Sequence, residues 1–271
     1  MVDCPPSGTP TASEWKQRLS PSVALAWRAF DRASGLSSRV TPAAPILFFG
    51  DLDAYQTSPL RVLTVGLNPS LHEFPNDKPF LRFPLAGDCG DREPSHYLDA
   101  MSAYFRTQPY RSWFGAFERV INGVGSSYYA AEASSTALHT DICSPVATNP
   151  TWSKLPKVDR TVLEADGGAL WRMLFEVLRP QIVVLSVAKK YLERIKFEPI
   201  TEWETVHEFK RTRNGVLRRS PYEILARRYE VGGGHSLFVF GQAAQTPFGL
   251  LSHDQKHETG TIALEKYRDG R

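Results

Sequence analysis

Three short stretches carry polar side chains at the ends of apolar runs. The first is Gly66-Leu67-Asn68-Pro69-Ser70, which follows Leu60-Arg61-Val62-Leu63-Thr64-Val65. The glycine lets the backbone turn sharply, the proline stiffens the exit, and the asparagine stands at the tip of the run. Its amide can hold a substrate by hydrogen bonds but cannot act as a strong base. The competing assignment is a side chain that caps its own turn. The second stretch, Ala137 to Cys143, carries His139 and Asp141, and the third, Phe240 to Leu251, carries Gln245-Thr246-Pro247. A fourth is basic: Lys210-Arg211-Thr212-Arg213-Asn214-Gly215-Val216-Leu217-Arg218-Arg219, with Arg227-Arg228 beyond it. Its Asn-Gly pair predicts a hairpin turn, and the arginines make either a solvated hairpin over a core or a surface for phosphates.

The elements that must position these residues alternate along the chain. Ser20 and Pro21 suit the N-cap and first position of a helix through Val23, Ala26, Trp27 and Phe30, with Gly35 as its stop. Ile46 to Gly50 and Leu60 to Gly66 have strand length and composition. Leu98, Met101, Tyr104 and Phe105 share one helical face, as do Trp113, Phe117, Val120 and Ile121. Ala137 to Cys143 reads as a strand. Asp159 is the expected N-cap of a helix through Leu163, Leu170, Leu174 and Val177, which Pro180 closes before the strand Gln181 to Ser186. A short helix near Lys189 to Ile195, the basic hairpin and a strand from Ser236 to Gly241 follow. The alternation predicts an α/β fold, a three-layer α/β/α sandwich around a central, mostly parallel four-stranded sheet, with ligands at the carboxyl ends of its strands.

Composition narrows the function classes. The chain has 271 residues, 42% hydrophobic and 23% charged, which suits a folded domain and excludes wholesale disorder, collagen or coiled coil. Residues 1 to 12 are expected to be a disordered lead-in, and 13 to 271 one domain with an N-terminal helical extension. No window reaches the roughly 18 apolar residues of a membrane span, and the N-terminus lacks the basic and apolar regions of a signal peptide. Cys4, Cys89 and Cys143 are scattered and odd in number, which suits a cytoplasmic protein without a disulfide framework or an all-cysteine metal site. The net charge of +3 is too small to establish a polyanionic partner. His253, His257 and Glu258 share a helical face without a further ligand set to fix a metal. Gly123-Val124-Gly125 lacks the third glycine of a dinucleotide fingerprint, and Gly232-Gly233-Gly234 reads as a turn.

The Gly66-Leu67-Asn68-Pro69-Ser70 stretch resembles the first motif of the uracil-DNA glycosylase superfamily, in the form with asparagine found in its mismatch-specific and single-strand-selective branches. Leu138-His139-Thr140-Asp141 is similar to the family's second strand, and Phe240 to Leu251 to its last strand and wedge loop. The resemblance covers residues 60 to 255. It implies a monofunctional DNA N-glycosylase that flips a uracil-like or modified base out of DNA and hydrolyses its glycosidic bond, in base-excision repair or in defence against modified phage DNA. It further implies no cofactor, DNA as partner and a monomer. The different-class alternative is a catalytically silent base-sensing module on the same fold.

Carried over residue by residue, Asn68 orients the attacking water, and Gly66 and the backbone of Leu67 and Asn68 face the base. Phe83 stacks on the flipped base, unless it and Phe80 simply pack the loop. Asp141 stands where many relatives read uracil with asparagine. A carboxylate only accepts hydrogen bonds, so it would favour the amino edge of a cytosine-type base, unless it is a structural partner of His139 or of the basic hairpin, or is protonated when buried. Gln245-Thr246-Pro247 stands where the family often has His-Pro-Ser or Asn-Pro-Ser, so Gln245 lacks any imidazolium help but keeps a hydrogen-bond donor. Ser70, Thr246, Phe248 and Leu250, with Arg211, Arg213 and Arg218, are the expected DNA contacts. Phe248, Leu250 and Leu251 either wedge into the base stack or cover the sheet edge.

Overall fold

The computed structural model describes residues 12–270. The expected lead-in over residues 1 to 12 lies outside them, except for Ala12, which begins helix α1 (Ala12–Arg32). Pro21 is therefore inside a helix and not at its start. Trp15 and Leu19 extend the buried stripe of Val23 and Ala26 backwards past the proline, and their packing outweighs the lost backbone bond. Ser20 caps nothing; its hydroxyl donates to the Lys16 carbonyl at 3.1 Å.

The remaining helices are α2 (Leu52–Thr57), α3 (Pro94–Ser102), α4 (Arg111–Gly123), α5 (Lys157–Leu178) and α6 (His253–Arg268). In α4 the spacing of Phe114, Phe117, Val120 and Ile121 buries one face, and in α5 Leu163, Leu170, Leu174 and Leu178 do the same. Pro156, not Asp159, precedes α5; Asp159 lies in the first turn and accepts the Ser38 hydroxyl at 2.5 Å.

The sheet has eight strands where the sequence suggested four. They are β1 (Val62–Gly66), β2 (Ser126–Ser127), β3 (Ser135–Asp141), β4 (Ile182–Leu185), β5 (Glu198–Pro199), β6 (Glu204–Arg211), β7 (Leu217–Val231) and β8 (Gly234–Gly241). Their order is β2-β3-β1-β4-β8-β7-β5, with β6 paired to β7. Strands β2, β3, β1, β4 and β8 run parallel to their neighbours. β7 then joins β8 antiparallel, with Ile224, Ala226 and Tyr229 buried, so the basic hairpin is the far part of the same sheet. The architecture is mixed α/β with flanking helices, α1 packing on α3 and α5, and α4 on α6.

The expected strand at Ile46 to Gly50 makes only one antiparallel bridge, between Phe49 and His139. It occupies the edge of β3 beyond two-residue β2, and Gly50 at φ 118° then turns the chain away.

The paired registers make the strand ends level. Gly66 pairs with Asp141, Val65 with Leu185, and Leu185 with Phe240. Every loop that leaves a carboxyl end of β3, β1, β4 or β8 therefore starts at the same height.

Helices α4 and α6 cross with their backbones in close approach. A Cβ on Gly260 would stand 1.9 Å from the Val120 carbonyl oxygen, whereas one on Gly115, also in α4, would meet nothing within 4 Å. Gly260→Ala is expected to lower unfolding stability by about 1–3 kcal/mol. Gly115→Ala should raise it by about 0.4–1 kcal/mol, both read from urea midpoints. Equal effects at the two positions would contradict this crossing.

Candidate active site

Strand β1 is buried throughout and ends at Gly66, where a Cβ would stand 2.4 Å from Asp141 Oδ1 and 3.1 Å from His139 Nε2. The missing side chain is what lets Asp141 and His139 lie over the strand end. Beyond Gly66 the chain stays pinned to the loop after β3. The Cys143 N–H donates to the Leu67 carbonyl at 2.9 Å, and the Thr148 N–H donates to the Pro69 carbonyl at 3.1 Å.

This frame fixes Asn68. Its Nδ2 donates to the Pro69 carbonyl at 2.7 Å, to Thr148 Oγ1 at 2.8 Å and to the Val146 carbonyl at 3.3 Å. Two of these partners are carbonyls that can only accept, so the amide nitrogen must face the frame and Oδ1 is the atom left over. Asn68 does bond its own turn, as the capping assignment required, and it also lines a cavity of about 470 Å³.

Leu67, Ser70 and Glu73 from the loop after β1, and His139 and Asp141 from β3, share that cavity with Asn68. Ser186 to Ala188 after β4, and Ala243 to Gln245 after β8, complete the polar end. Ser70 accepts the His72 N–H at 3.3 Å and so caps the turn that carries Glu73. Rings close the rest: Tyr110 and Trp113 are half-buried, while Phe49, Phe114 and Trp152 are buried. Trp152 Nε1 and the Tyr191 hydroxyl, also from wall residues, are buried without a hydrogen-bond partner.

His139 is buried among the ring edges of Phe49, Phe114 and Phe117, with centroids 5.4, 5.1 and 5.5 Å away. Its Nδ1 lies 2.7 Å from Thr64 Oγ1, which bonds Tyr128 in turn. Its Nε2 is 3.7 Å from Asp141 Oδ1, so Asp141 has the His139 neighbour that one assignment foresaw. The hairpin is not that neighbour. Arg211 donates to the Gly215 carbonyl at 2.8 Å, and Arg218 to the carbonyls of Arg211 at 3.1 Å and Leu250 at 2.7 Å.

Phe83 is not in the cavity wall. It is fully buried, stacked on Phe74 at 5.4 Å and set against Tyr104 at 4.8 Å. Phe248 is equally buried, covering Gly241, where a Cβ would stand 2.4 Å from its ring. The Phe248 N–H donates to Ser186 Oγ at 2.8 Å, so the ring holds the loop down from within the core. Leu251 is buried and Leu250 is exposed. Gln245 lines the cavity and Thr246, half-buried, follows it outside the wall. Gln245 and Phe248 both take positive φ, 22° and 49°, the kind of backbone strain that collects at functional loops. Arg213 is exposed at the hairpin tip, and Arg211 and Arg218 are committed to the hairpin and the Leu250 loop. Among the described residues, no group of three or more His, Cys, Asp or Glu side chains could hold a metal ion.

The wall residue that the sequence did not disclose is Glu73. It is buried, and the Tyr104 hydroxyl donates to its Oε2 at 2.5 Å. Burial pushes its pKa up to about 8, against the opposing pull of the Tyr104 hydrogen bond and the Arg82 charge, with Asp141 adding to the rise. Nothing in its sequence neighbourhood signals this, because the rings that exclude water around it come from distant segments.

No family model, curated protein or solved structure matches this chain.

The raised pKa of Glu73 has a defined sign. Unfolded, the group ionises near 4.5; folded, near 8, so stability contributed by its neutral form is present below 4.5 and falls as pH rises to about 8. Glu73→Gln keeps an acceptor for Tyr104 and removes the ionisation. Urea unfolding at pH 5, 6.5 and 8 is expected to show the variant gaining on the wild type with each step. A constant difference would contradict the assignment.

Proposed function

We propose that this protein is a DNA N-glycosylase acting on a flipped-out uracil-like or modified base, cytosine-derived ones among them, in base-excision repair or in defence against modified phage DNA. The observation that carries the reading is the meeting of Asn68 and Gln245, from the loops after β1 and β8, with Asp141, the last residue of β3, at one cavity over the ends of parallel strands. With Nδ2 held by the frame, Asn68 Oδ1 is the acceptor that positions a water for attack on the sugar C1′. Cleavage through an oxocarbenium-like sugar needs a placed water and stabilisation of the departing base, not a strong base. The Gln245 side chain is suited to donate a hydrogen bond to that base.

The cavity suits one base rather than a stretch of duplex, so the target nucleotide must leave the stack. Stacking falls to the half-buried ring of Trp113 in place of Phe83, since Tyr110 is already stacked by His72. The wedge falls to Leu250, 46% exposed, in place of Phe248. Beside it, held through the Arg218–Leu250 hydrogen bond, the hairpin presents Val216 and Leu217, 64% and 68% exposed, between Arg213 and Arg219. Apolar tips flanked by arginines fit insertion into a base stack with phosphates alongside. The same reading takes the fold as a three-layer α/β/α sandwich, DNA as the partner, a monomer as the working unit, no cofactor and a cytoplasmic setting.

The test is a panel of single- and double-stranded oligonucleotides carrying uracil, hypoxanthine, 5-methylcytosine, 5-hydroxymethylcytosine or its glucosylated form, scored for abasic sites and free base. Release from one member is expected. Asn68→Ala should slow it by about 100-fold or more while leaving the oligonucleotide Kd within a few-fold. DNA binding without release from any member would favour the base-sensing module. Separately, Leu217→Ala with Leu250→Ala should weaken action on duplex by about tenfold or more and spare single strands, because only a duplex must be unstacked. Equal losses on both would remove these side chains from the wedge.

A further inference from the structure

Glu73 and Asp141 are two carboxyl groups in the wall of one cavity, and they differ in surroundings. Asp141 has the His139 imidazole 3.7 Å away. Glu73 is buried against the Tyr104 hydroxyl, and the charges that act on it are the Arg82 guanidinium and Asp141 itself. His72, in the same turn, lines the cavity as well and stacks on Tyr110 at 4.6 Å. The Tyr104 hydroxyl holds Oε2 and is itself fixed by the Tyr110 N–H at 2.9 Å, while among the described residues nothing bonds Oε1. Removed from water, the Glu73 carboxyl keeps its proton up to about pH 8, beside the same cavity that Asp141 lines.

We infer that Glu73 and Asp141 together select a base with an exocyclic amine beside a basic ring nitrogen, and that Glu73 gives its proton to that nitrogen as the glycosidic bond breaks. The inference rests on the glycosylase reading. A cytosine-type base offers this edge, its N4 amine donating to Asp141 and its N3 accepting from Glu73. Uracil presents O4 to an acceptor and N3–H to a donor, so both contacts fail. With N3 protonated, the C1′–N1 bonding pair moves to N1 and the base leaves neutral. The water held at Asn68 Oδ1 bonds to C1′, and its released proton returns to the Glu73 carboxylate, which restores the starting state. Proton delivery from Glu73 supplies what Gln245 cannot, since an amide side chain has no proton to give up at neutral pH.

The experiment measures single-turnover base release from pH 5.5 to 10, using oligonucleotides identical except for uracil, cytosine, 5-methylcytosine or 5-hydroxymethylcytosine. Wild type, Glu73→Gln and Asp141→Asn are compared. A cytosine-type base is expected to be released at least about 100-fold faster than uracil, because a site built for one hydrogen-bond pattern rejects its inverse. The wild-type rate should fall tenfold per pH unit above about 8, and Glu73→Gln should be at least about 100-fold slower with no such limb. Asp141→Asn should reduce the preference for cytosine-type bases. A descending limb that survives in Glu73→Gln, or a preference for uracil, overturns the inference and leaves the glycosylase reading standing. No release by the wild type from any of these four overturns the inference, and no release from the wider panel either overturns the glycosylase reading with it. Carbon-13 NMR titration of the Glu73 carboxyl in the wild-type protein keeps the test open if the variant does not fold: a midpoint in the ordinary carboxylate range overturns proton delivery.

Discussion

The parallel register of β3, β1, β4 and β8 is the constraint on which the site depends. Because Val65, Thr140, Leu185 and Phe240 stand level, the loops that follow within a residue or so open onto a common space. A shift of one residue in β3 would turn Asp141 to the other face of the sheet and His139 with it. Gly66 depends on the same register, since its bare Cα faces the Asp141 and His139 side chains. The wide array of buried aliphatic and aromatic residues in these strands and in α4 and α5 holds that register far more strongly than any polar contact at the site.

Rigid framing has a chemical consequence. Asn68 has its amide nitrogen bound to the two loops that flank β1 and β3, and His139 is enclosed by rings and tied to Thr64. Side chains fixed before a ligand arrives need little reorganisation, which is where hydrogen-bonding groups gain their effect in a water-poor cavity. Glu73 shows the opposite face of the same property: a carboxyl removed from water keeps its proton to a higher pH. The fold thus trades some stability above pH 4.5 for a proton held beside the cavity.

Much of this was legible in the sequence, for physical reasons that differ by element. Strands β1, β4 and β8 are short apolar runs bounded by glycine or proline, and α4 and α5 carry helical periodicity, so local pattern and burial agree. Asn68, Asp141 and Gln245 were found because they stand at strand exits. The outer sheet was not, because the fifteen-residue β7 mixes arginines with apolar residues and its burial comes from pairing with β8. Pro21 misled because a local breaker was overridden by the packing of Trp15 and Leu19. Phe83 and Phe248 look alike in sequence whether they face a ligand or a core, and only the tertiary contacts send both inward. Glu73 became distinctive only through neighbours far away in the chain.

The central claim is that water attacks the sugar carbon of a nucleotide held in this cavity. Single-turnover reaction of the wild-type protein with the modified oligonucleotides in oxygen-18 water, followed by mass spectrometry of both products, tests it most directly. The expected result is one heavy oxygen at C1′ of the abasic sugar and none in the released base. Heavy oxygen in the base, or an oligonucleotide recovered intact, would contradict the account.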